Sequence, residues 1–134
     1  MEHEIQVIAR FSETDALGHI NNTSYFIYLE EARIRFLEML GFDLNGQNFS
    51  FILASAKCDY ISQGFFNQQL RITTYVTKIG TKSFQLEHDI INKDTNQLIA
   101  HGQVVMVYFD FEKQQSKPLP ELMKQGLNTY LVHL

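Results

Sequence analysis

The sequence predicts an α+β fold in which one long helix packs on an antiparallel sheet, and three observations carry that reading. Between Ser24 and Leu40, apolar residues recur at intervals of three and four, the spacing of one helix face. After Gly41 the chain changes to four segments rich in β-branched and aromatic residues, separated by short polar turns. A helix stripe and a sheet face, both apolar, leave water together when one packs on the other.

Taken in order, "IQVIARF" alternates as a first strand and "SETDALGHINN" reads as loop and turn. In the helix, Phe26, Leu29, Phe36, Leu37 and Leu40 form the stripe, widened by Tyr25, Tyr28 and Ala32. Glu31 and Arg35 stand one turn apart on the wetter side. Asn22, Thr23 or Ser24 supplies the N-cap, and Gly41 ends the helix because glycine enters the left-handed conformation cheaply. The expected helix is roughly 15–17 residues, against an average of about 11–12.

The later strands are "FILASAKCDYIS", "LRITTYVTKI", "SFQLEHDIIN" and "LIAHGQVVMVYFDF", joined by "QGFFNQQ", "GTK" and "KDTNQ". In "SFQLEHDI", Phe84, Leu86 and Ile90 fall on one face and Gln85, Glu87 and Asp89 on the other, which is direct strand periodicity. Bulk on both faces near the end of the last strand predicts an interior position. Beyond Pro118 and Pro120, "PELMKQGLNTYLVHL" predicts a short terminal helix. No linker, repeat or low-complexity segment interrupts residues 1–134, so a single domain is expected. One helix cannot cover about five strands completely, and a homodimer that covers or extends the sheet is the physical expectation.

Hydrophobic residues make up 45% and charged residues 19% of the chain, enough for a sizeable core. A formal net charge of -4 disfavours general binding to nucleic acid, although a local basic patch that grips phosphates stays compatible with it. No apolar run approaches about 18 residues, so no membrane span is expected. "MEHEIQVIARF" lacks the basic start and apolar segment of a secretory signal. Cys58 is the one cysteine and cannot form an internal disulfide, which makes a reducing, cytoplasmic setting the default expectation.

The chemistry is narrower. There is no G-x-S-x-G elbow and no phosphate-cradling G-x-x-x-x-G-K run. His3, His19, His88, His101 and His133 form no compact ligand set, and no metal or cofactor is expected. Cys58 reads as a core residue. Asp15, in a loop just before a helix, suits either of two tasks. It can attack an electrophilic carbon or draw a proton from water; equally, it can cap a turn bent by Gly18, with Asn21 and Asn22 satisfying loop backbone. His19 can act as a donor or acid–base group, and Tyr25 can orient a carbonyl or simply pack. Glu31 reads as a helix-surface or inter-subunit ion-pair residue.

The stretch "FSETDALGHINNTSYFIYLEEARIRFLEMLG" closely resembles the signature of the hotdog-fold acyl-CoA thioesterases, specifically the 4-hydroxybenzoyl-CoA thioesterase-like family. The pattern is Asp, two residues, Gly-His, a hydrophobe, Asn-Asn, then an aromatic leading into the long helix. "KCDYISQGFFNQQLRITTYVTKIGTKSFQLEHDI" and "LIAHGQVVMVYFDFEKQQSKPLPE" resemble the family's sheet and late strand, so the likeness spans nearly the whole chain.

The resemblance implies a hotdog fold, with a long central helix wrapped by a curved antiparallel β-sheet, and a homodimer, or a dimer of dimers, with active sites at the subunit interface. It implies hydrolysis of an acyl-CoA thioester to a carboxylic acid and free coenzyme A, with Asp15 as general base or nucleophile and coenzyme A entering only as part of the substrate. Tyr25 matches a position that lines the thioester site; Asn22 and His19 lie in the matching loop. The "QGFFNQQ" turn matches a segment that approaches the site from the partner, where Gly64 or a neighbouring N–H can polarise the carbonyl and Phe65 and Phe66 can line an acyl pocket. Lys57, Lys78 and Lys82, near strand ends, are candidates for the coenzyme's phosphates or ordinary surface lysines. Two alternatives stay open: another hotdog enzyme such as a hydratase or dehydratase, and a non-catalytic acyl-thioester-binding protein.

Overall fold

Alternating residues from His3 to Ile8 form β1, and a short 3-10 turn at Phe11–Glu13 leads to the helix α1 at Asn22–Met39. Strands β2 (Phe51–Tyr60), β3 (Gln69–Ile79), β4 (Ser83–Asn92) and β5 (Leu98–Asp110) follow, then a two-residue β6 (Gln115–Ser116) and helix α2 (Glu121–Thr129). The structure, a computed structural model, describes residues 1–42 and 50–133. The last residue of the predicted terminal helix segment, Leu134, lies outside the described residues.

Helix α1 starts earlier than its apolar period suggests. Asn21 is the N-cap, and its side-chain oxygen accepts the Thr23 N–H at 3.1 Å. The predicted cap at Asn22, Thr23 or Ser24 is therefore displaced by at least one residue, because the Ser24 hydroxyl is drawn to the Glu13 carbonyl at 2.9 Å instead. Gly41 ends the helix as expected, with φ +90 and its N–H on the Glu38 carbonyl. Tyr25, Tyr28, Leu29, Ala32, Phe36 and Leu37 are buried, whereas Phe26 is 39% exposed and Arg33 is buried in its stead. The stripe turns slightly round the helix, so Phe26 falls off its edge and Arg33 onto it. Glu31 and Arg35 meet at 3.1 Å.

The sheet runs β1–β3–β4–β5–β2, every pair antiparallel, with β6 added to the end of β5. The strand β5 is interior, as its two-sided bulk requires, and among the described residues β1 and β2 are the edges. The predicted turns "GTK" and "KDTNQ" fill the gaps between β3 and β4 and between β4 and β5. Register shifts at Leu53/Ser55, Val76/Lys78 and Ile90/Ile91 bend their strands and curve the sheet round α1. This is the hotdog arrangement.

The core falls into two clusters. One gathers Tyr25, Leu29, Leu70, Ile72, Ile90 and Ala100; the other gathers Phe36, Val76, Phe84, Leu86, Val104 and Met106. Between them, in register on facing elements, lie Thr74, His88, Gly102 and Arg33. His88 Nδ1 and Thr74 Oγ1 share a hydrogen bond of 2.8 Å, and among the described residues His88 Nε2 has no partner. Gly102 is needed for approach rather than flexibility, since a Cβ there would stand 2.6 Å from Leu29 Cδ1.

Burial, with Arg33 and His101 nearby, pushes the His88 imidazole down to about 3. Unfolded, it titrates near 6.5. A depressed folded value means its contribution to stability is complete above the unfolded value and is lost as pH falls towards the folded one. From that group alone, stability should fall by up to about 1.4 kcal/mol per pH unit between those values. Urea denaturation across that range should show a shallower acid loss in His88→Leu than in the wild type.

Candidate active site

The loop between the 3-10 turn and α1 is built round Asp15. Its Oδ1 accepts the Leu17 N–H at 2.8 Å and the His19 N–H at 3.1 Å, closing an Asx-type turn. The Asp15 N–H donates to the His19 carbonyl at 2.8 Å, and Gly18, at φ +80, makes the bend only glycine adopts cheaply. Among the described residues Asp15 Oδ2 has no hydrogen-bond partner, and the residue is exposed. One oxygen thus shapes the loop and the other faces outward.

A second segment is zipped to this loop. Ile20 N–H donates to the Gly64 carbonyl at 2.8 Å, Phe66 N–H donates to the Gly18 carbonyl at 3.0 Å, and His19 bridges Phe65. The His19 ring packs edge-on to Phe65 at 5.0 Å. Phe65 and Phe66 are both exposed, and Phe66 stacks edge-on with Phe11. The "QGFFNQQ" turn therefore meets the loop of its own protomer.

Beside these segments opens a cleft of about 290 Å³, lined among others by Ile20, Asn22, Tyr25, Tyr60 and Gln63. Tyr25 is buried, and its hydroxyl oxygen accepts the Gly64 N–H at 3.2 Å. Burial chiefly raises its phenol above the ordinary value, although the Gly64 bond opposes this, so the hydroxyl keeps its proton to donate. Tyr60 stacks on Tyr25 at 5.3 Å and donates its hydroxyl to the Asn22 carbonyl at 2.9 Å. The Gly64 N–H is thus engaged, as is the Phe65 N–H, on Gln68 Oε1. Among the described residues the N–H groups of Asn22 and Gln63 have no partner, and both residues line the cleft. That of Asn22 opens α1, where the helix dipole favours negative charge.

The structure brings Asn22 and Tyr25 to one cleft and His19, Gly64 and Phe65 to the loop beside it. Asp15 stands at the loop's outer face and does not line the cleft within one protomer. The three lysines are not gathered there. Lys57 lies on β2, paired with Asp59 at 3.6 Å. Lys78 lies on β3, three strands across the sheet, and Lys82 lies in the β3–β4 turn; all three are exposed. Cys58 is half-buried and its thiol is pushed up to about 11, chiefly by burial, which fits an inert core role.

Sequence reasoning missed Glu13, Tyr28, Tyr60 and Gln63. Glu13 is a buried carboxylate two residues before Asp15. Burial works against its charge, yet hydrogen bonds from the Arg10 N–H, the Tyr28 hydroxyl and the Arg10 guanidinium prevail and hold it below the usual carboxylate range. Burial and Glu13 together push the Tyr28 phenol up. Nothing in a polar run marks such a residue as buried. Among the described residues no three His, Cys, Asp or Glu side chains are grouped to hold a metal, and no helix is long and apolar enough to cross a membrane.

A curved antiparallel sheet round one long helix is the architecture of the hotdog class of domains. The chain matches the Thioesterase-like superfamily over residues 9–127 and belongs to it. It is 36% identical over 122 residues to the uncharacterized protein YsmA of Bacillus subtilis, covering 91% of this chain and 82% of that one. It is 25% identical over 126 residues to the long-chain acyl-CoA thioesterase FadM of Escherichia coli, covering 92% and 96%. Among solved structures, a predicted thioesterase from Bacillus stearothermophilus superposes with a TM-score of 0.93 at 25% identity, covering 100% of this chain and 99% of that one.

Two glycines test this packing in opposite directions. A Cβ at Gly64 would stand 2.5 Å from Ile20 Cδ1 and 2.8 Å from the Tyr25 hydroxyl, both buried. Gly64→Ala should therefore cost about 1–3 kcal/mol in urea denaturation. At Gly126, inside α2, a Cβ meets only Leu40 at 3.5 Å, and Gly126→Ala should stabilise by about 0.5–1 kcal/mol.

Proposed function

We propose that this protein hydrolyses acyl-CoA thioesters to a carboxylic acid and free coenzyme A, with Asp15 as the reacting carboxylate. The observation that carries the reading is the division of labour at Asp15. Its Oδ1 is fixed by two backbone N–H groups while Oδ2 is left open, in the loop that leads into a helix whose first N–H is also open. Membership of the superfamily and likeness to a relative named as an acyl-CoA thioesterase support the same chemistry.

Either of two routes uses this arrangement. Asp15 Oδ2 takes a proton from water as the water oxygen adds to the thioester carbon, or it adds to that carbon itself and gives a mixed anhydride that water then cleaves. In both, the carbonyl oxygen passes through a negatively charged stage, the thioester C–S bond breaks, and coenzyme A leaves as a thiolate that takes up the proton given by Asp15 in the first route and by water in the second. The Asn22 N–H at the helix start and the Gln63 N–H receive that charge, a role for which the Gly64 N–H, held on Tyr25, is not free. The Tyr25 hydroxyl donates to the bound acyl group and orients it.

The site is completed by a second copy of the chain. Among the described residues β2 is an edge strand, with the side chains of Leu53 to Lys57 exposed. Antiparallel pairing of two such edges satisfies the free backbone groups and extends the sheet. It also supplies a second wall that closes the space between Asp15 and the cleft, so that one bound thioester meets both. Lys57 is carried on that edge and serves the coenzyme's phosphates only in such a pair.

A panel of aliphatic and aromatic acyl-CoA substrates, followed by release of free thiol, tests the reaction. Asp15→Ala should lower kcat about 10²–10⁴-fold with its fold retained. Equal turnover by the two proteins would sink the assignment. Light scattering should give twice the 15.6 kDa chain mass or a multiple of it, and a fully active species at that single-chain mass would defeat the shared site.

A further inference from the structure

Glu13 is tied at every polar atom it has. Its N–H donates to the Arg10 carbonyl at 2.9 Å. Its carbonyl accepts the Asn21 N–H at 2.8 Å and the Ser24 hydroxyl at 2.9 Å. Its Oε1 accepts the Tyr28 hydroxyl at 2.9 Å and the Arg10 N–H at 2.8 Å, and Oε2 accepts the Arg10 guanidinium at 3.1 and 3.3 Å. One residue therefore binds the end of the β1 connection, the N-cap of α1, and the second turn of that helix.

These ties are unequal. The Arg10 side chain is 75% exposed, and a pair with one end so open to water contributes little. Tyr28 is 3% exposed, so the hydroxyl-to-carboxylate bond lies out of water, where it is strong and costly to leave unmade. The Tyr28 bond, with the Arg10 N–H on the same oxygen, therefore decides where the Glu13 side chain sits. Its backbone then sets two things at once. Asp15 follows two residues later, and Asn21, held on the Glu13 carbonyl, presents the open N–H of Asn22.

Resting on the hydrolase reading above, we infer that Glu13 is a positioning residue for the reaction. Locked to the interior of α1 through Tyr28, it fixes Asp15 in register with the helix start that receives the oxyanion. It takes no proton and touches no substrate, since both its oxygens are engaged. Catalysis demands such a clamp, because the reacting carboxylate and the oxyanion donor lie on different local structures, and a displacement of about 1 Å between them costs about 10²-fold in rate.

The test uses the full chain with Glu13→Ala, Glu13→Gln, Tyr28→Phe and the double variant Glu13→Gln/Tyr28→Phe. Turnover of acyl-CoA, folded fraction by circular dichroism at the assay temperature, and amide hydrogen exchange are measured together. Glu13→Ala should lower kcat about 100-fold and leave KM within about threefold, since uniform binding is spared. Glu13→Gln keeps an acceptor for Tyr28 and for the Arg10 N–H and should lose only about tenfold. Glu13→Gln weakens and Tyr28→Phe breaks the same link, so their effects on kcat should be less than additive.

In exchange, the amides of Leu17, His19 and Asn21 should lose protection at least about tenfold while those of β4 and β5 keep theirs. A fall in kcat that only tracks the folded fraction, or loop amides that stay protected in Tyr28→Phe and Glu13→Ala, would overturn the inference. If the wild type hydrolyses no thioester, the hydrolase reading fails by itself, and the exchange data still decide whether Glu13 holds the loop. Should Glu13→Ala not fold, Tyr28→Phe carries the same decision, because it removes one oxygen and leaves the ring in place.

Discussion

The seating of α1 on the sheet depends on a single absence of bulk. At Gly102 the β5 backbone carries no Cβ, and Leu29 fills the space that a methyl group would need. This close approach fixes the depth at which the helix lies, and with it the height of the helix start above β2 and β3. Asn22, Tyr25 and Tyr28 are positioned along that same helix, so the cleft, the open N–H and the partner of Glu13 share one frame. The curvature from the three strand irregularities serves the same contact, because a flat sheet would meet the helix along one strand only.

At Asp15 the structural and chemical readings of an aspartate before a helix are compatible. A carboxylate has two oxygens, and here one caps the loop while the other remains open. The backbone bonds hold the acceptor still without consuming it, which is what a reacting group requires. Tyr25 follows a similar division. Its oxygen accepts from Gly64 while its proton stays available. Each buried or turn-forming bond at this site thus doubles as an orienting device.

Much of the fold is legible in the sequence because hydrophobic period and turn chemistry are local. Phe84, Leu86 and Ile90 alternate visibly, and "GTK" and "KDTNQ" carry the residues turns need, so strand limits there are accurate. Phe26 and Arg33 mark where local reading stops. Both sit beside the stripe, and only the sheet's position decides which is covered. Thr74 and His88 look like polar residues of no account, yet they pair across two strands inside the core. Glu13 is similar, since Tyr28, fifteen residues on, is what buries and binds it. The turn at Asp15 and Gly18 is legible in the residue types that make it, whereas the donors facing the cleft depend on hydrogen bonds that sequence spacing does not reveal.

The band of Thr74, His88, Gly102 and Arg33 lies between the two apolar clusters of the interior. The half round Tyr25, Leu29 and Ile90 carries the loop and cleft; the half round Phe36, Phe84 and Met106 carries α2 and the far ends of the strands. Effects of substitutions in separate neighbourhoods add, whereas those in contact interact. Divergence among relatives can therefore accumulate in the distal half and trade stability there, while the proximal half keeps its geometry. The same fold can drift in composition at one end and hold its chemistry constant at the other.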